Sequence, residues 1–211
     1  MTEKQGEQAL EDLRQIRSMM ERSSRFISLS GLSGIGAGVV AIIGAFIAGW
    51  YIDSHIKGVS NSIVSGGSVR MADIVFLLLL AGVVLFLALG IAIYFAVRKA
   101  SKQGLPIWNK AAEVTLINLL IPLGTGAIFC LILYTYGIFL LLAPTTLVFY
   151  GLALVNASQY TLREVRYLGV SEIVLGLISL AIPGYSLIFW ALGFGFLHII
   201  YGSIMYFRYE R

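Results

Sequence analysis

Ionisable and amide side chains are scarce inside the apolar stretches of this chain, so the few found there carry the chemical argument. Glu172 lies in "GVSEIVLGLIS", 169–179, and His198 in "GFLHIIYGS", 195–203. A carboxyl and an imidazole in two apolar runs that a short turn forces into contact can share or exchange a proton, and a buried pair of this kind is a pH-responsive element. Two plainer readings stand beside it. Glu172 can sit at the headgroup boundary and snorkel outward, and His198 can be a hydrogen-bonded packing residue. Asn118 stands four residues before Pro122. Proline has no N–H, so the carbonyl of Asn118 loses its helical donor, and an amide side chain and a free carbonyl share one spot. Asn156 lies about 10 Å inward from Arg163 at the helical rise. Ser30 and Ser33 enter from the same side. Together Ser30, Ser33, Asn118, Asn156, Glu172 and His198 form a candidate polar layer confined to one half of the apolar thickness. Such a layer suits a pocket for a proton or a small polar solute, or a purely structural cluster. A nucleophile–base pair of Ser30 or Ser33 with His198 is conceivable by depth. Serine in a helix-packing seam is the commoner case, and no catalytic residue is assigned.

The elements that hold these side chains follow from the apolar runs. Runs of spanning length fall at about 27–52, 74–97, 114–134, 138–158, 167–182 and 185–207. The fifth is short, contains Glu172, and turns into the sixth at "IPGYS", 182–186; "YTYG", 134–137, joins the third to the fourth. The expected fold is therefore all-α: six transmembrane helices in three hairpins over 26–211, preceded by a cytoplasmic amphipathic helix over 1–25. Only 12% of the residues are charged, about half the share of a soluble domain, which argues against a water-soluble globular fold. The net charge of +4 does not point to nucleic acid, because the basic residues border apolar runs. Lys4, Arg14, Arg17, Arg22, Arg25, Arg98, Lys99, Lys102, Lys110, Arg163, Arg166, Arg208 and Arg211 fall on one side; Lys57 and Arg70 fall on the other. By the positive-inside rule both termini are cytoplasmic. The first span serves as an uncleaved signal.

Small residues mark how the spans meet. Ser30, Gly34 and Gly38 recur every four residues, as do Ala37, Ala41, Ala45 and Gly49. The packing seam expected from them runs through Gly34, Gly38, Ala41 and Ala45. The half of the membrane away from the basic side is nearly free of polar groups. Thr125, Thr145, Thr146 and Ser179 are expected to bond their own helix backbones there, which argues against an aqueous pore. Asp53, His55 and Asp73 could gather a cation in the outer loop, but their spacing is no metal motif, and neither a metal nor a cofactor is assigned. In the N-terminal helix Ala9, Leu13, Ile16 and Met20 share a face. Leu13, Ile16 and Met20 are the expected contact for a cytoplasmic partner, for a second copy in a homo-oligomer, or for the protein's own surface. Membrane lipids are the remaining expected partner.

"GLSGIGAGVVA", 31–41, aligns with "GVSEIVLGLIS", 169–179, and "YG" recurs at 150–151 and 201–202. The last hairpin, "GVSEIVLGLISLAIPGYSLIFWALGFGFLHIIYGSIMYF", resembles the repeat unit of HdeD-like membrane proteins, six-helix bacterial proteins of Gly-rich hairpins. That resemblance implies a link to acid resistance. The opening, "IRSMMERSSRFISLSGLSGIGAG", resembles an uncharacterised family of bacterial multipass proteins. Neither supplies catalytic residues. The function expected is a non-enzymatic inner-membrane module for stress response, sensing or scaffolding. The alternative is a small-solute or proton-coupled carrier with a cytoplasm-facing polar pocket.

Overall fold

The computed structural model describes residues 12–13, 30–55, 70–102, 104, 108–182 and 184–210. Among these the chain is all-α, with no strand. Six long helices follow one another: α1 (Gly31–His55), α2 (Met71–Lys102), α3 (Lys110–Thr135), α4 (Phe139–Tyr160), α5 (Arg163–Ala181) and α6 (Ser186–Tyr209). Five of them, α1 to α4 and α6, are long and apolar enough to cross a membrane. Helix α5 is the exception, because Arg163, Glu164, Arg166 and Glu172 dilute its 19 residues. The N-terminal helix expected over 1–25 lies almost wholly outside the described residues. Leu13 is helical and exposed; Ile16 and Met20 are not described.

Local chemistry explains the boundaries. Asn109 caps α3, its side chain accepting from the Ala112 amide at 2.8 Å. Gly137 and Gly184 take positive φ in the α3–α4 and α5–α6 turns, where a side chain would be strained. These two turns make the short antiparallel hairpins that "YTYG" and "IPGYS" foretell.

Helix α6 is the hub. It packs on α1 along most of its length and meets α4 and α5 on its other side. Helix α2 leans on α1, and α3 leans on α4, so both are outer helices. Their Leu, Ile, Val and Phe side chains face outward, as they should where lipid and not water surrounds the bundle.

Between helices in lipid, close approach matters more than apolar burial. A Cβ on Gly31, Gly34 or Gly38 would run into α6 at Gly202, at His198 and Gly202, or at Gly195 and Ile199, respectively. Of the expected seam, Gly34 and Gly38 lie against α6. Ala41 and Ala45 are buried as expected. The glycines that admit α2 are two others, Gly36 against Ile91 and Gly44 against Val84. A second close crossing joins α4 and α5 at Gly151 and Gly169. It matches the first: the aligned segments contribute Gly31 and Gly169, and the two "YG" pairs contribute Gly202 and Gly151.

Two local features depart from the sequence reading. The middle of α6, Ala191–Leu197, is π-helical, a form that tends to gather at functional sites. Ser179, expected to bond its own helix, has a buried hydroxyl with no hydrogen-bond partner among the described residues. The threonines behave as expected at Thr125, which donates to the Ile121 carbonyl at 2.9 Å, and at Thr146, which donates to the Ala143 carbonyl at 2.7 Å.

Candidate functional site

The six residues of the polar layer do not converge. They fall into three groups, each with its own partners.

Ser30 and Ser33 belong to the basic end of the bundle. The Ser30 hydroxyl donates to Glu210 Oε2 at 3.1 Å, and the Gly31 amide donates to Glu210 Oε1 at 2.6 Å. Lys99 Nζ, from the end of α2, donates to the same carboxylate at 3.3 Å. Glu210 thus caps α1 from the far end of the chain, because an α-helix begins with unpaired amides that a carboxylate satisfies. The Ser33 hydroxyl donates to the Ser30 carbonyl. Neither serine bonds His198, so the serine–histidine pair conceivable by depth is not formed. Beside this clasp, Arg208 and Tyr209 both donate to Glu164 of α5 at 3.0 Å.

Asn118 and Asn156 form a staple between α3 and α4. Asn156 Nδ2 donates to the Asn118 carbonyl at 2.8 Å. This is the carbonyl that Pro122 leaves without a helical donor. Asn118 Nδ2 turns back to the Val114 carbonyl at 2.8 Å. A shallow, mostly apolar groove of about 450 Å³ runs beside the staple past Pro122, Thr125, Asn156 and Gln159.

Glu172 and His198 do meet, in the α4–α5–α6 interior. Glu172 is completely buried, so the snorkelling reading does not hold. Its Oε1 lies 3.4 Å from His198 Nδ1. That nitrogen lies 3.0 Å from the Gly193 carbonyl, which can only accept, so Nδ1 carries a proton and donates to it. The contact with Glu172 is therefore close and electrostatic, and both carboxyl oxygens lack a hydrogen-bond partner among the described residues. His198 Nε2 lies 2.8 Å from the Tyr150 hydroxyl. Neutral His198 accepts there from Tyr150; protonated His198 must donate, and the tyrosine hydrogen must turn away. Tyr150 and Phe194 stack near the imidazole, with ring centroids 5.4 and 6.0 Å away, where they can stabilise a cation.

The sequence reading missed Tyr150, Gly193 and Glu210. Gly193 leaves room for the acid: a Cβ there would overlap Glu172 Oε2 and Leu147. Tyr150 is one of 11 tyrosines, and nothing in its spacing selects it. Glu210 is one of 11 acidic residues, most of them on the basic side, and nothing in its spacing selects it either.

On the opposite face Asp73 accepts from Tyr51 at 3.0 Å and from Arg70 at 3.1 Å. The cation cluster with Asp53 and His55 is not assembled: no group of three His, Cys, Asp or Glu side chains that could hold a metal occurs among the described residues. No family model, curated protein or solved structure matches this chain.

Proposed function

We propose that the chain is a non-enzymatic sensor module of the bacterial inner membrane, with Glu172, His198 and Tyr150 as its proton-responsive element. In this reading all six long helices cross the bilayer. The charged first turn of α5 lies at the cytoplasmic surface, and both termini are cytoplasmic, as the basic residues favour. The N-terminal helix, through Leu13, Ile16 and Met20, passes the response to a partner or to a second copy.

One observation carries the proposal. A fully buried carboxyl lies 3.4 Å from an imidazole whose other nitrogen bonds a tyrosine on a third helix. A proton gained or lost here reverses a hydrogen bond between α4 and α6, so charge state is coupled to helix packing. A solute carrier is less well supported. It needs polar groups convergent on one cavity, and Asn118 and Asn156 are consumed by their own staple.

The test is thermal unfolding of the full chain in lipid nanodiscs across about pH 5 to 8, the range in which histidine responds. The expected outcome is a midpoint that depends on pH in the wild type and loses most of that dependence in Glu172→Gln and in His198→Gln. An unchanged pH dependence in both variants rejects the reading.

A further inference from the structure

Four buried side-chain atoms lack a hydrogen-bond partner among the described residues: Glu172 Oε1 and Oε2, Ser179 Oγ and Ser186 Oγ. All four belong to the α5–α6 hairpin, and their placement is ordered. Glu172 faces Gly193 across the two helices. Ser179 is seven residues beyond Glu172 on α5, and Ser186 is seven residues before Gly193 on α6. On α5 seven residues are two helical turns, about 10 Å, and return to the same face; on α6 the same count enters the π-helical segment at Ala191, so it sets depth along the axis and not direction around it. In an antiparallel pair the register that joins Glu172 to Gly193 therefore brings Ser179 level with Ser186. Ser179 is 1% exposed. The pair sits beside the turn at 182–185, on the face away from the basic residues.

A hydroxyl with no partner in an apolar interior is normally met by buried water, which bonds several polar groups at once. A serine within a helix can bond its own backbone instead, and Thr125, Thr146 and Ser203 do so. Ser179 and Ser186 do not. We infer that Ser186 and Ser179 line a water-bearing path from the face opposite the basic residues to Glu172. By this path the carboxyl takes up and returns its proton on that side only.

The path rests on the reading of Glu172 as the proton-responsive group, and it adds the side of the membrane that is sensed. The proton passes from bulk water through hydroxyl-bound waters to a Glu172 oxygen and leaves by the reverse route. The titratable groups facing Glu172 are Tyr150 from α4 and His198 from α6. On α5 itself the nearest other acid, Glu164, is two turns away and bonded to Arg208 and Tyr209. Toward the basic face the interior is closed by the buried cluster of Leu154, Leu162, Val165, Leu168 and Met205.

The experiment uses the full chain in vesicles in one known orientation. A pH jump is applied to one side at a time, and the infrared carboxyl band that disappears in Glu172→Gln is followed. The band should respond first to a jump on the face opposite the basic residues. Ser179→Val combined with Ser186→Ala should slow that response about tenfold or more, while the equilibrium titration of the band persists. Ser179→Ala with Ser186→Ala, which removes only two oxygens, repeats the test should valine disturb packing. A band that titrates but answers fastest from the basic face overturns the path. So does a band whose rate ignores both serine variants. In either case the proton-responsive reading stands. A band that titrates from neither side overturns both.

Discussion

At the scale of single residues, the polar groups inside the bundle fall into those with hydrogen-bond partners and those without one among the described residues. Asn118 and Asn156 are of the first kind. The sequence already contained the reason, because Pro122 frees a carbonyl that some donor must meet. Intramembrane hydrogen bonds of this type contribute about 0.6 kcal/mol on average. Asn156→Ala should therefore destabilise by about that amount, and by less in a Pro122→Ala background, where the α3 amide at position 122 takes over the carbonyl. A double-mutant cycle on unfolding in detergent measures the difference. Glu172 is of the second kind, and Gly193 is what admits it. Gly193→Ala should cost about 1–3 kcal/mol by overpacking. The penalty should shrink when Glu172→Ala removes the atoms that the new methyl meets. A full and undiminished penalty in that background would place the strain elsewhere.

At the scale of helices, glycine contacts and end clasps do the joining. Gly31 and Gly202 bring α1 onto α6 as Gly151 and Gly169 bring α4 onto α5. The faint sequence repeat thus coincides with two close helix crossings. Glu210 then closes the basic end by accepting from α1 and α2 together. Glu210→Ala removes those three contacts and leaves the first amides of α1 without their acceptor. It should destabilise by about 1–3 kcal/mol. Glu210→Gln, which keeps an acceptor, should recover part of that loss in the same unfolding measurement. The order of the helices, the hairpin turns and the glycines Gly34 and Gly38 of the α1 seam were legible in the sequence, because apolar runs and four-residue spacing report them directly, whereas α2 runs on past its apolar stretch to Lys102. Partner choice was not. Depth along a helix follows from counting residues, whereas direction around its axis depends on neighbours. Ser30, Asn118 and Glu172 were therefore grouped by depth, and their helices point them to three different places. The π-helical segment of α6 adds a rotation that no residue type announces, and it is this segment that brings the Gly193 carbonyl to His198.

At the scale of the whole molecule, α6 ties everything together. It meets α1 through glycines and α5 through Glu172 and His198, and it holds the basic end through Arg208, Tyr209 and Glu210. A change in protonation at its centre therefore acts on the helix that both halves of the bundle share. Movement of α6 should be felt at the clasp about 15 Å away along the helix. Fluorescent labels placed on α1 and α6 near the Glu210 end should report a distance that changes with pH in the wild type and not in Glu172→Gln. The most direct measurement is of the histidine itself. Nitrogen NMR of His198 in lipid bilayers reads the protonation of both ring nitrogens as pH is varied. We expect Nδ1 to remain protonated, Nε2 to titrate, and the midpoint to move when Glu172 is replaced by Gln. A His198 that titrates at the same pH with and without the Glu172 carboxyl would contradict the coupling on which the account rests.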